Sequence, residues 1–159
     1  MSINQIELAA LKKDSWSEQE LHNAKFVLTF VQKIMNDHDF EYVKENYGSH
    51  PYKQHNRTMT DGPNGVLSSI TELCKVYPEF SYDVRHMYVD GDYVTIQSHV
   101  TLQASDRGNP NKGLNIYDTW KVVDDQIVEH WDAVQGIDEG MRKVAVQNGG
   151  VVKNENTLF

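Results

Sequence analysis

The sequence predicts an α+β domain: a cone-shaped barrel formed by one strongly curved antiparallel sheet wrapped on N-terminal helices. Three observations carry this. Apolar residues recur at three- and four-residue spacing as far as Tyr77, and at every second position from Phe80 onward. Turn signals then separate consecutive short strands with no helical pattern between them, so those strands pair antiparallel. Finally, 159 residues with one cysteine are enough for one self-supporting core and exclude an internal disulfide framework.

The elements follow in order. Ser17 with Glu20 three residues later is a capping-box pattern, with Ser15 and Glu18 as the rival register. Leu21, Ala24, Val27, Val31 and Ile34 then form one apolar stripe, giving a helix from about 18 to 37. Phe40 to Tyr47 reads as a second helix stopped by Gly48 at C′, and Pro51 prevents continuation. A third helix starts after Asp61-Gly62-Pro63, with Asp or Asn as its cap and Pro in its first turn, and ends at Pro78. Phe80, Tyr82, Val84 and His86 alternate with polar neighbours, which is strand patterning. Asp90-Gly91 turns the chain into a strand over Tyr93 to Gln103. Gly108 to Asn111 is a longer loop, and Leu114 to Val123 with Gln126 to Gln135 form a hairpin around Asp124-Asp125. The whole chain, 1–159, reads as one domain with its core over 18–135 and a flexible tail over 136–159.

Composition narrows the function classes. Fifteen basic against 23 acidic residues give a net charge of −8, which disfavours a nucleic-acid or anionic-membrane surface. No apolar run reaches the length of a membrane span, and the N-terminus has no secretory pattern, so a cytoplasmic protein is expected. One cysteine excludes a cysteine-based zinc site, and no nucleophile-elbow, phosphate-loop or H-E-x-x-H motif occurs. Acid/base chemistry is what the remaining residue types can supply.

The last hairpin concentrates those residues. If Val123 pairs with Gln126 without a bulge, Leu114, Ile116, Trp120, Ile127 and Trp131 share the apolar inner face with Asp118 and Glu129. Carboxylates among tryptophans lose solvation, which raises their pKa toward a range useful for proton transfer. In the same register Asp132 and His130 fall on the outer face. Among the histidines, His55 stands next to a helix start, and His99 alternates away from Val94, Ile96 and Val100. His86 shares a face with Tyr82 and Tyr88 and reads as a core residue. A two-histidine, one-carboxylate metal triad of His55, His99 and Asp118 is a further pattern, though nothing in the spacing requires convergence.

Taken together, these pieces resemble the SnoaL-like branch of the nuclear transport factor 2-like superfamily. The resemblance rests on the Gln54-His55-Asn56 segment, Asp61-Gly62, Asp90-Gly91-Asp92-Tyr93-Val94 and Gln97-Ser98-His99-Val100. The strongest piece is Tyr117-Asp118-Thr119-Trp120-Lys121-Val122 followed by Ile127-Val128-Glu129-His130-Trp131-Asp132. It implies a cone with a deep apolar pocket, commonly in a homodimer, and ring closure by intramolecular aldol condensation with neither metal nor organic cofactor. It also implies an acid/base aspartate at Asp132, partnered by a histidine one strand earlier, where this chain has Asp118 instead. Gln97 is a second departure, standing where relatives often have a histidine.

The resemblance and the unbulged register disagree about Asp132, and one bulge between Ile127 and Asp132 would reconcile them. The expectation is then a cofactor-free acid/base enzyme acting on a small apolar carbonyl compound, by aldol or isomerase-type chemistry. Asp132 is the base and Asp118 its acid partner. His55 and His99 are polar pocket groups, and Trp120, Trp131, Tyr82, Met59 and Glu129 line the substrate site. The alternative is a non-catalytic ligand-binding or dimerisation module of the same fold.

Overall fold

In the computed structural model, residues 4–48, 50–139 and 142 are described. A four-residue helix, α1 (Leu8–Leu11), precedes α2 (Glu18–Val31). The Ser17 register wins: Glu20 N donates to Ser17 Oγ at 3.2 Å while Ser17 N donates to Glu20 Oε2 at 2.8 Å. A cap of this kind contributes about 1 kcal/mol. The helix continues through one π-turn, Gln32–Asn36, so that Asn36 faces the sheet. Its side chain accepts from Tyr82 N at 2.7 Å and donates to Tyr82 O at 3.1 Å, tying the helix end to the first long strand.

Helix α3 (Phe40–Tyr47) is capped by Asp39, whose Oδ1 accepts from Tyr42 N. Gly48 ends it for a different reason from the one expected. Its φ of −91° is right-handed, but a Cβ there would stand 2.2 Å from Lys44 O. Helix α4 (Pro63–Val76) has Pro63 in its first turn as expected, but its cap is Gly62, at φ 86°. Asp61 is otherwise engaged, accepting from Gln54 N at 2.8 Å.

Five strands follow the order β1-β5-β4-β3-β2, with β1 Lys53–Gln54, β2 Ser81–Asp90, β3 Tyr93–Thr101, β4 Leu114–Val123 and β5 Gln126–Gly136. The long strands form the expected antiparallel meander. The two-residue β1 adds a parallel edge on β5, so the sheet is mixed and does not close. Asp124 and Asp125 make the last turn with both φ angles positive, at 48° and 59°.

Helix α2 lays Ala24, Val27, Leu28 and Val31 over the sheet's inner face, which supplies Val94, Ile96, Val100, Ile116 and Trp120 to the core. Trp120 is 1% exposed. Truncating a side chain of that size in a packed core costs about 3–5 kcal/mol.

Two one-residue bulges set which side chains join that core. In β2, Val84 pairs with Ser98 and His86 with Gln97, so Arg85 is the extra residue of the bulge. Tyr82, Val84, Met87 and Val89 therefore face inward, while His86 and Tyr88 turn out and are exposed. His86 is thus not a core residue. In β5, Val122 pairs with Ile127 and Lys121 with Glu129, leaving Val128 as the extra residue.

Gly136 ends β5, and Ile137 is buried, its N–H donating to Gly113 O at 3.0 Å. The predicted tail thus begins inside the fold, and all of it beyond Glu139 except Arg142 lies outside the described residues. Among the described residues no helix is long and apolar enough to cross a membrane.

Candidate active site

The Val128 bulge reverses the parity of β5 from Glu129 onward. Asp118 now stands opposite Asp132, Trp120 opposite His130, and Thr119 opposite Trp131. Asp118, His130 and Asp132 therefore meet on the inner face. Glu129 and Trp131 move to the outer one, contrary to the unbulged reading. His130 sits between two rings, 5.2 Å from Trp120 and 6.3 Å from Tyr52, measured between centroids.

Parallel pairing of β1 extends the same alternation. Gln54 pairs with His130 and Lys53 with Glu129. Gln54 and Asn56 reach inward, and His55 between them points away. His55 is exposed, stacks on Trp131 at 4.8 Å with an interplanar angle of 5°, and contacts Glu129 Oε1 at 2.7 Å. Three residues expected in the pocket thus form their own cluster outside it.

His99 does not reach the site either. It lies on the outer face, as alternation predicted, yet is buried, with Nε2 2.8 Å from Lys112 O. Tyr82 and Trp120 do flank Asp118 and His130, and Met59 Sδ lies 3.8 Å from Gln54 Nε2. The metal triad of His55, His99 and Asp118 is not assembled. Among the described residues, the group whose donor atoms could bracket a cation is Asp118, His130 and Asp132, all within 4.8 Å of one another.

Hydrogen bonding fixes much of the proton inventory. Asn56 N donates to Gln54 Oε1 at 2.8 Å, and a backbone N–H can only donate, so that atom is the amide's carbonyl oxygen. The same oxygen is 2.8 Å from His130 Nδ1, which must then carry a proton. On the other side, His130 Nε2 is 3.0 Å from Asp118 Oδ1. One proton lies on that axis, held as imidazolium–carboxylate or as imidazole–carboxylic acid. Asn56 is fixed similarly: Thr58 N and Oγ1 both reach its Oδ1, so its Nδ2 donates to Asp132 Oδ2.

Burial is the largest influence on Asp118 and raises its pKa above the ordinary carboxylate range. The His130 hydrogen bond opposes this, and the Asp132 charge adds to it. Burial pushes the Tyr82 and Tyr52 phenols well above their usual value, with nearby Asp118 adding to the effect, so both stay protonated donors. A cavity of about 590 Å³ at the β1 edge is lined by Tyr52, Lys53, Gly62 and the bulged Val128, separately from the Asp118–His130 pair. The pair itself is buried, and Asp132 beside it is half-buried.

Residues 25–138, more than two thirds of the chain, match the family model of SnoaL-like polyketide cyclases. No curated protein sequence matches. Solved structures do. A candidate SnoaL-like polyketide cyclase from Jannaschia sp. CCS1 aligns at 20% identity and TM-score 0.60, covering 77% of this chain and 91% of its own. A candidate polyketide cyclase from Bacillus cereus ATCC 10987 aligns at 19% and 0.61, covering 77% and 80%. Another from Acidithiobacillus ferrooxidans aligns at 14% and 0.59, covering 81% and 98%. At such identities the likeness establishes the nuclear transport factor 2-like fold alone. With the family model over most of its length and this fold throughout its sheet, the chain belongs to the SnoaL-like polyketide cyclase family.

Proposed function

We propose that the protein is a cofactor-free acid/base enzyme that enolises a small apolar carbonyl compound, in a cyclising aldol condensation or an isomerisation. The observation that supports this best is the proton arrangement: one proton between Asp118 and His130, beside an Asp132 oriented as an acceptor. Asp132 takes a proton from the carbon next to the carbonyl, and the C–H electron pair becomes the enol double bond. The carbonyl oxygen receives the proton held by Asp118 and His130. The enol carbon then attacks a second carbonyl within the same molecule or is reprotonated at another position. A buried pair that holds a proton, beside a carboxylate that accepts, supplies acid and base together.

The test needs no knowledge of the final product. A panel of small ketones and β-dicarbonyl compounds is incubated with the protein in D₂O, and deuterium entry next to the carbonyl is followed by NMR. The wild type should exchange at least one of them, and Asp132→Asn should lose that activity by roughly 100-fold or more while its circular dichroism is unchanged. Equal exchange by the variant would overturn the assignment. No exchange with any compound would favour the binding-module reading over the enzyme. The expected homodimer belongs to the same proposal. Tyr88, Tyr93 and Tyr117 are exposed on the outer face of the meander, and burying them would suit a second copy. Sedimentation should give twice the chain mass; a monomer at high concentration would remove that part. A cytoplasmic location fits this chemistry.

A further inference from the structure

We infer that Gln54 is a positioning residue that fixes one proton on His130 Nδ1 and thereby holds a second proton between His130 Nε2 and Asp118. This deepens the acid/base reading above and rests on it for its functional meaning. Gln54 has no contact that would make it an acid or a base, and its Oε1 is spoken for twice, by Asn56 N and by His130 Nδ1, each at 2.8 Å. Its amide nitrogen donates to the Tyr52 hydroxyl at 3.4 Å and to Met59 Sδ at 3.8 Å. Turning the amide over would place NH₂ against a backbone N–H and remove the acceptor from His130. The amide is therefore held in one orientation by the two contacts of its oxygen.

The consequence is a count of protons. With Nδ1 protonated toward Gln54, a bare Nε2 facing a bare carboxylate would be repulsive, so a second proton must sit between Nε2 and Asp118 Oδ1. Without the Gln54 acceptor, the ring can place its single proton on Nε2 and donate it to an ionised Asp118, leaving Nδ1 empty. The pair then holds one proton fewer, and delivering that proton to a carbonyl oxygen would leave an imidazolate beside a carboxylate, whereas the wild-type pair would be left as neutral imidazole and carboxylate. The other titratable groups facing the pair are Tyr52, Tyr82 and Asp132. None of them contacts Nδ1 in place of Gln54.

Nitrogen-15 NMR of the histidine rings at neutral pH reads this directly, with the His130 signals identified by their loss in His130→Gln. In the wild type, Nδ1 of His130 should carry a slowly exchanging proton. Gln54→Leu should move the proton to Nε2 and leave Nδ1 as the bare nitrogen. Gln54→Glu, which keeps an acceptor for both partners, should restore the wild-type pattern. A bare Nδ1 in the wild type, or an unchanged ring in Gln54→Leu, would overturn the inference. If Gln54→Leu does not fold, the wild-type nitrogen assignment decides alone. The readout requires no substrate, so a confirmed tautomer with no exchange activity would refute the enzyme and leave the positioning role standing.

Discussion

The two faces of the β1–β5 pairing use the same residue types to opposite ends. Inward, Gln54, Asn56, His130 and Asp132 surround a buried carboxylate and settle where each proton resides. Outward, Lys53, His55, Glu129 and Trp131 make a stack and ion pairs open to solvent. The two sets interleave residue by residue along both strands. What separates a candidate active site from a surface cluster here is parity, and a single extra residue, Val128, sets it. Histidine, carboxylate and tryptophan in proximity are therefore a weak sign of chemistry unless burial and a fixed hydrogen-bond partner accompany them.

The strongest way to break the comparison is to delete Val128. With the bulge gone, either Ile127, 1% exposed, leaves the core, or Glu129 and Trp131 rotate inward in place of His130 and Asp132. The expected outcome is a loss of at least about 3 kcal/mol in urea unfolding together with loss of the His130 Nδ1 signal. A variant that keeps both would show that the bulge is incidental.

The comparison sharpens when each face is titrated. Asp118 has its folded pKa raised, so the folded state binds that proton more tightly than the unfolded state does. Its contribution is fully present below the ordinary carboxylate pKa and is lost as pH rises through the higher folded value. Glu129 has its pKa lowered, chiefly by the hydrogen bond from His55. Its contribution is present above the ordinary value and is lost as pH falls through the lowered one. Melting curves between pH 3 and 8 should therefore show Asp118→Asn removing a decline toward neutral pH and Glu129→Gln removing one toward acid. The Glu129 effect should be the smaller, because that carboxylate is solvated. Slopes of the same sign in both variants would erase the distinction between the faces.

Much of the fold was legible because it depends on period. The switch from 3.6 to 2 after Tyr77 placed α2, α3, α4 and the four long strands close to where they lie. β1 was not legible, since two residues carry no period at all. The candidate site is legible in part: the sequence points to Asp118 and Asp132, which meet on the inner face, whereas Glu129, Trp131 and His55 lie on the outer face and His99 is buried there beside Lys112 O. The missing signal was available in principle. Once Asp132 is turned inward, His130 two residues earlier must follow it, and if His55 points out then Gln54 and Asn56 point in. Bulges leave no compositional trace in Val128 or Arg85, so only an independent anchor for one inward residue could have fixed the parity.

The short parallel strand also has a kinetic meaning. The meander closes through two tight turns and the 102–113 loop between neighbouring strands, whereas β1 meets β5 across 76 residues, as in the contact from Gln54 to His130. Closing so long a loop for a two-residue ladder comes late in assembly, after the surfaces it joins exist. The expected order is that the hairpin holding Asp118, His130 and Asp132 forms first, from local contacts, and the segment that orients His130 docks last. Refolding followed at individual histidines would see the scaffold mature first and the proton arrangement afterwards.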